Sequence, residues 1–240
     1  MNRKDLSIAT MTLVRNEAEE AALTEALTRL AQLEIPVYLT DGGSPPSFLR
    51  FLRGFPQFVL QEPARGLWPQ TKSSLTAAYG GGTPYLFYTE PDKALFFERF
   101  LPALLEDLQP DGQTGVVLAA RSPGGFATFP PFQQMTETTI NRCCAEVIGE
   151  PTDYVYGPFL LHRELVPFLD RLPPTIGWGW RPYAFHLARR LGYRVEAVTG
   201  DFPCPDDQRR EDGAERLHRM RQLAQNMEGL TLSASVAVEG

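Results

Sequence analysis

Long apolar runs are missing from this chain. The longest, such as residues 116–120, falls far short of the roughly 20 residues a membrane-spanning helix needs, so no stable membrane insertion is expected. Cysteine is scarce. Cys143 and Cys144 are adjacent and Cys204 stands alone, a spacing that matches neither a disulfide framework nor a tetrahedral zinc site. Free thiols are expected, with the adjacent pair packed in a helix. Basic residues do not dominate: 23 Lys+Arg stand against 29 Asp+Glu, a net charge of −6. That balance gives no footprint for neutralising phosphates, which excludes nucleic acid as an expected partner. The charged start, Met1-Asn2-Arg3-Lys4-Asp5, is followed by an apolar stretch broken by Ser7, Thr10 and Thr12, too short and polar for a signal peptide, so residence in the cytoplasm is expected. No G-x-G-x-x-G follows the first β-like run and no G-x-S-x-G occurs, which sets aside dinucleotide dehydrogenases and serine hydrolases.

What is present is an ordinary globular composition, 43% hydrophobic over 240 residues, which suits one cooperative domain spanning 1–240. β-rich runs alternate with amphipathic stretches, the pattern of an α/β fold with a mostly parallel sheet flanked by helices. Strands are expected at 7–13, 35–40, 58–61, 84–89, 115–121 and 193–198, with extended chain at 153–161. Helices are expected at 17–34, 47–53, 66–80, 93–108, 135–148, 163–172 and 182–191, and a last one ends at Met227. The first helix shows the reasoning: Leu23, Ala26, Leu27, Leu30 and Ala31 fall at helical spacing, with Glu19, Glu20, Glu25 and Arg29 mainly off that stripe. Residues 122–132 read as a loop, and the tail after Leu230 carries little signal.

In open α/β sheets, ligands gather at the carboxyl ends of strands. Three such ends carry polar residues: Arg15-Asn16-Glu17 after the first strand, Thr40-Asp41-Gly42-Gly43 after the second, and Glu90-Pro91-Asp92 after the aromatic run at 84–89. Each has a plain alternative. Asn16 can cap a helix, Asp41-Gly42 can be a turn, and Glu90 can be a surface acid.

Together and in this order they resemble the GT-A glycosyltransferases, particularly family 2 and its polyprenyl-phosphate sugar transferase relatives, over roughly residues 6–200. The resemblance implies a GT-A, Rossmann-like fold with a nucleotide-sugar-binding half at about 1–121 and an acceptor-binding half at about 122–240. It implies that Asn16 and Glu17 open the first helix at the nucleotide, that Asp41 contacts base or ribose, and that Lys72 is the basic residue near the base. Glu90-Pro91-Asp92 matches the family's Asp-x-Asp element, so Glu90 and Asp92 are the expected ligands of Mg2+ or Mn2+ at the diphosphate. One acid of the usual Asp-Asp-Gly-Ser is Thr40 here, and a glycine is added.

In the second half, residues 156–164 look like the family's acceptor-side strand and helix, and Gly177-Trp178-Gly179-Trp180-Arg181-Pro182 has its aromatic turn. Inverting members carry an acidic pair after that turn, one of them a general base. Here Arg181-Pro182 stands there. Three accounts stay open: an acceptor that is already an anion, a retaining reaction, or lost catalysis. The first two are favoured together, with Arg181 and Arg189 as binders of an anionic acceptor. Relatives close a mobile loop over the diphosphate, which makes Arg209 the candidate basic residue and His218 the candidate third metal ligand. The plain alternatives are a solvated charge run and a boundary histidine.

The implied activity is transfer of a hexosyl group from a nucleoside-diphosphate sugar to a small or lipid-linked acceptor, with Asp92, Arg181 and Arg209 as catalytic candidates. A small soluble acceptor ranks slightly higher, and a homodimer is an allowed assembly. The alternatives are a non-catalytic nucleotide-sugar-binding domain and a sugar nucleotidyltransferase; the latter is disfavoured because residues 12–16 contain no glycine.

Overall fold

The computed structural model describes residues 1–209 and 211–236. In chain order the elements are β1 (Leu6–Thr12), α1 (Glu17–Ala31), β2 (Val37–Asp41), α2 (Pro46–Arg53), β3 (Phe58–Leu60), α3 (Leu67–Gly80), β4 (Tyr85–Tyr88), α4 (Ala94–Arg99), α5 (Leu101–Asp107), β5 (Thr114–Arg121), α6 (Pro123–Phe126), α7 (Pro131–Ile148), β6 (Phe159–His162), α8 (Trp180–Arg190), β7 (Arg194–Gly200) and α9 (Gly213–Ala234). They fall into two compact units. The first is Met1–Asp111 with Leu160–Asp170; the second is Gly112–Phe159 with the described residues from Arg171 onward.

In the first unit the strands run in the order β3-β2-β1-β4-β6. The β1–β2, β2–β3 and β1–β4 pairs are parallel, with Thr12 opposite Asp41 at the end of the β1–β2 ladder. β1 and β4 are buried almost throughout, as parallel strands covered on both faces must be. The stripe expected on α1 is the face it buries. The single helix expected over 93–108 is two. Phe100, between the two, is stretched to φ −116° at ψ −41°, and Pro102 enters in the first turn of α5, where its missing N–H costs nothing.

In the second unit β5 and β7 pair in parallel. Residues 122–132, expected as a loop, hold the short helix α6, capped by Ser122 with Pro123 at its first position, and the start of α7 at Pro131. Of the extended stretch expected at 153–161, only Phe159 onward joins a strand. The stretch Arg163–Arg171, which up to Asp170 belongs to the first unit, forms a 3-10 helix with Pro167 inside it. α9 runs past Met227 to Ala234, burying Gly229, Leu230 and Ser233. Trp180 is fully buried against Phe159, with ring centres 5.5 Å apart, and Trp68 is buried likewise in the first unit. Cys143, Cys144 and Cys204 are free thiols, and burial pushes the Cys144 thiol up to about 12.

Candidate functional site

The carboxyl ends of β1, β2 and β4 lie side by side in the first unit. Asp41 closes β2, and its carboxylate is buried at 4% exposure. Oδ1 accepts the backbone N–H of Gly43 at 2.8 Å and of Ser44 at 2.7 Å, while Oδ2 accepts the hydroxyls of Thr12 at 2.8 Å and Ser44 at 2.6 Å. A carboxylate has about four lone-pair positions, and all are occupied here. The Ser44 hydroxyl in turn accepts the Val14 N–H at 2.8 Å. Asp41 therefore holds the turn 41–44 against the end of β1, and a nucleotide hydroxyl reaching it would have to replace one of these bonds.

Beneath the turn lies α3. The buried Gln70 amide donates to the carbonyls of Thr12 at 2.8 Å and Thr40 at 3.3 Å. One turn further, the Ser74 hydroxyl donates to the Thr10 carbonyl at 2.6 Å and shares a hydrogen bond with the Thr40 hydroxyl at 2.8 Å. Thr40, where the family pattern has an acid, thus sits fully buried against a serine.

Glu90 and Asp92 follow β4. Thr89 N–H donates to the Ala9 carbonyl, and the Thr10 hydroxyl donates to the Thr89 carbonyl at 2.8 Å, which ties this strand end to β1. Glu90 is buried at 9% exposure and Asp92 is exposed. Among the described residues, no three His, Cys, Asp or Glu side chains form a group able to hold a metal ion. A pair of carboxylates is what Mg2+ takes from a protein when substrate phosphates and water supply its other ligands.

Three other expected donor-side residues have visible duties. Asn16 is the N-cap of α1, its side chain accepting the Glu19 N–H at 2.9 Å, and Glu17 is exposed in the first turn of that helix. Lys72 pairs with Asp170 at 2.9 Å on the surface of the same unit. A depression of about 800 Å³ takes in Glu17 but is lined by α1 and Gln32 just after it, with neither Asp41 nor Glu90 in its wall.

The remaining expected residues belong to the second unit. Arg181 is buried at 2% exposure, its guanidinium 4.6 Å from the centre of the Trp178 ring. Arg209 folds onto the Cys204 carbonyl at 3.3 Å and pairs with Asp206 at 3.3 Å. Its neighbour Arg210 lies outside the described residues. His218 is exposed on α9 and Arg189 is exposed near the end of α8.

Models of known protein families give no match to the chain, and a search of curated proteins gives none either. Solved structures do match. Glucosyl-3-phosphoglycerate synthase from Mycobacterium tuberculosis in complex with uridine-diphosphate aligns at TM-score 0.66 and 16% identity, over 98% of this chain and 82% of that one. The same enzyme with Mn2+, uridine-diphosphate and phosphoglyceric acid aligns at 0.64 and 16%, over 98% and 80%. With Mn2+, uridine-diphosphate-glucose and phosphoglyceric acid the values are 0.64 and 16%, over 98% and 81%. The chain has the GT-A fold.

Two parts of this GT-A chain escape motif reading. One is the pair Gln70 and Ser74, whose signal is polar residues at i, i+4 on a helix stripe that otherwise buries Leu75 and Ala78. The other is Arg121 at the end of β5. It is buried, bonded to Asp153 through Nε at 2.6 Å and Nη2 at 3.0 Å and to Glu137 at 2.7 Å, with the rings of Phe126 and Phe129 centred 4.7 and 4.4 Å away. Burial pulls the Arg121 pKa down, but the carboxylates of Glu137 and Asp153 outweigh it and hold the guanidinium above its ordinary value. Asp153 is the reverse case: burial works against its charge, and Arg121 holds it below the usual carboxylate range. Partners 16 and 32 residues away leave no local pattern in the sequence.

Proposed function

We propose that this chain is a glycosyltransferase that moves a hexosyl group from a nucleoside-diphosphate sugar to a small acceptor, assisted by Mg2+ or Mn2+. The observation that carries the reading is the position of Glu90 and Asp92. They follow β4 beside the tied ends of β1 and β2, where open α/β sheets bind their ligands. Their hard oxygen donors fit a hard divalent cation, which when bound offsets the charge building on the departing nucleoside diphosphate. Glu90 and Asp92 would hold that cation, and the Asp41 turn would orient the nucleoside. Solved neighbours with the same fold are named with uridine-diphosphate, uridine-diphosphate-glucose, Mn2+ or Mg2+, and phosphoglyceric acid, which supports the same class of donor and a small anionic acceptor.

An acceptor that is already an anion needs no general base, which accommodates Arg181-Pro182 where inverting enzymes carry acids. Arg181, buried beside Trp178, contributes by shaping that turn, and the half-exposed Arg209 is the better candidate for meeting an anion. His218 stands exposed on α9 of the second unit, outside any group of three metal-binding side chains among the described residues. The reading includes one cooperative domain acting in the cytoplasm, able to form a homodimer. No described helix is long and apolar enough to cross a membrane, so a lipid-linked acceptor would be met at a membrane surface.

Thermal unfolding with a panel of nucleoside diphosphates, with and without Mn2+, tests this, because a ligand that binds only the folded state raises its apparent stability. A Mn2+-dependent rise with one nucleotide, lost in Asp92→Ala, is expected; no rise with any nucleotide overturns the reading. The burial of Arg181 where a base would stand favours a second reading, a nucleotide-sugar-binding domain without catalysis. Slow hydrolysis of the bound donor by the purified protein would exclude it.

A further inference from the structure

We infer that Gln70 and Ser74, one turn apart on α3, are positioning residues that serve the two halves of the donor site separately: Gln70 the nucleoside side and Ser74 the metal side. The inference rests on the donor-site reading above and deepens it.

Both side chains are buried, Gln70 at 4% exposure and Ser74 at 0%, and neither belongs to a motif. A primary amide on a helix interior face is costly to bury unless its N–H groups find acceptors. Here Nε2 bonds the carbonyls of Thr12 and Thr40, the last residue of β1 and the residue before Asp41. Thr12 also supplies one of the hydroxyls on the Asp41 carboxylate. One amide therefore fixes the backbone on both sides of the Asp41 turn. Gly42 shows how closely the pieces fit: a Cβ added there would lie 3.0 Å from both Nε2 and Oε1 of Gln70.

Ser74 begins a different route. Its hydroxyl carries one proton, which goes to the Thr10 carbonyl at the shorter distance of 2.6 Å, so the Thr40 hydroxyl donates back to Ser74 at 2.8 Å. A carboxylate at position 40 could not make that donation. The neighbouring side chain of Thr10 donates to the Thr89 carbonyl at 2.8 Å, and the Thr89 hydroxyl donates to the Glu90 carbonyl at 3.1 Å. Ser74 thus sets the β1 segment from which the backbone carrying Glu90 is held. The two routes meet at Thr40 and at the Gln70 carbonyl, which lies 3.2 Å from the Ser74 hydroxyl.

Titration calorimetry with uridine-diphosphate and Mn2+ as probes tests this on the whole chain. Gln70→Met keeps the side-chain length and removes the donors; it is expected to weaken uridine-diphosphate about tenfold at saturating Mn2+, leaving the Mn2+ midpoint in place. Ser74→Ala is expected to raise that midpoint roughly tenfold while uridine-diphosphate at saturating Mn2+ binds as in the parent. Should either variant fail to fold, Gly42→Ala, which displaces the Gln70 amide, and Thr10→Val, which removes the bond to Thr89, carry the same two expectations. In turnover with a sugar donor, the Gln70 change should act on KM more than on kcat. Equal losses in both titrations for both variants overturn the separation of routes, and unchanged titrations overturn the positioning role. A parent protein that binds no nucleotide overturns the donor-site reading itself and this inference with it.

Discussion

The guanidinium of Arg121 forks onto the carboxylate of Asp153, Nε to Oδ2 and Nη2 to Oδ1, inside the second unit. Glu137 on α7 takes the other face of Nη2, and Asn141 donates to Asp153 at 3.0 Å, so β5, α7 and the chain after α7 are joined through one buried cation. Arg121→Met leaves the buried Asp153 carboxylate without its cation and Glu137 with only Arg219, 3.7 Å away. The expected cost is about 3–5 kcal/mol, read as a shift of the urea midpoint at neutral pH. Replacing Arg121, Glu137 and Asp153 together by apolar residues of similar volume should recover much of that loss. A single variant that unfolds at the parent's midpoint would remove the network from any account of stability.

The same group predicts how stability responds to acid. Asp153 is held below the usual carboxylate range by Arg121, so between its folded pKa and the ordinary value near 3.9 the unfolded chain binds the extra proton. Its contribution is complete above that window and is lost as pH falls through it. His186 acts earlier. Burial, assisted by Arg190, holds its pKa below 6.5, and its Nδ1 lies 2.7 Å from the Ser233 hydroxyl, which itself donates to the Leu230 carbonyl. Nδ1 therefore carries the proton of a neutral ring, and stability declines as pH falls from about 6.5. Urea midpoints across pH should show His186→Gln flattening the upper limb and Asp153→Asn flattening the lower one.

Much of the fold was legible because parallel strands and amphipathic helices write their burial into local periodicity: the stripe on α1 and the aromatic run of β4 are read directly. What stayed hidden depended on residues far apart in the chain. Asn16, Asp41, Glu90 and Asp92 stand where ordered motifs place them, but only the structure reveals that Asp41 is saturated by Thr12, Gly43 and Ser44, or that Lys72 faces Asp170. The break at Phe100 was readable in principle from Pro102, and the short α6 from Ser122-Pro123, where Gly124-Gly125 and the Phe/Pro-rich run after them speak for a loop.

Gly229 on α9 faces the backbone of Gly179, and a Cβ there would collide with the Gly179 carbonyl and Cα. Both sides of the contact are main chain, so neither can rotate away. Gly229→Ala should cost about 1–3 kcal/mol or more, seen as a lowered thermal midpoint. Gly213, the first residue of the same helix, has nothing near its would-be Cβ, and Gly213→Ala should be neutral or stabilising by up to about 1 kcal/mol. The opposite ranking would mean α9 does not pack on the Gly177–Gly179 turn.

Asp41 allows its two suggested roles, turn anchor and nucleotide ligand, to be separated by substitution. In Asp41→Asn the remaining carbonyl oxygen can keep the N–H groups of Gly43 and Ser44, and the new amide can donate to the Thr12 hydroxyl, which rotates to accept it. The loss in stability should stay near 1.5–3 kcal/mol, the range for a hydrogen bond to a charged group. Asp41→Ala strands two backbone donors and two hydroxyls at once and should cost clearly more. If Asp41 acts on the nucleotide only through the turn it holds, affinity for uridine-diphosphate will follow this order, Asn close to the parent and Ala far below it. A carboxylate that itself bonds the nucleoside gives a different signature, with Asn already as poor as Ala in binding while still close to the parent in stability.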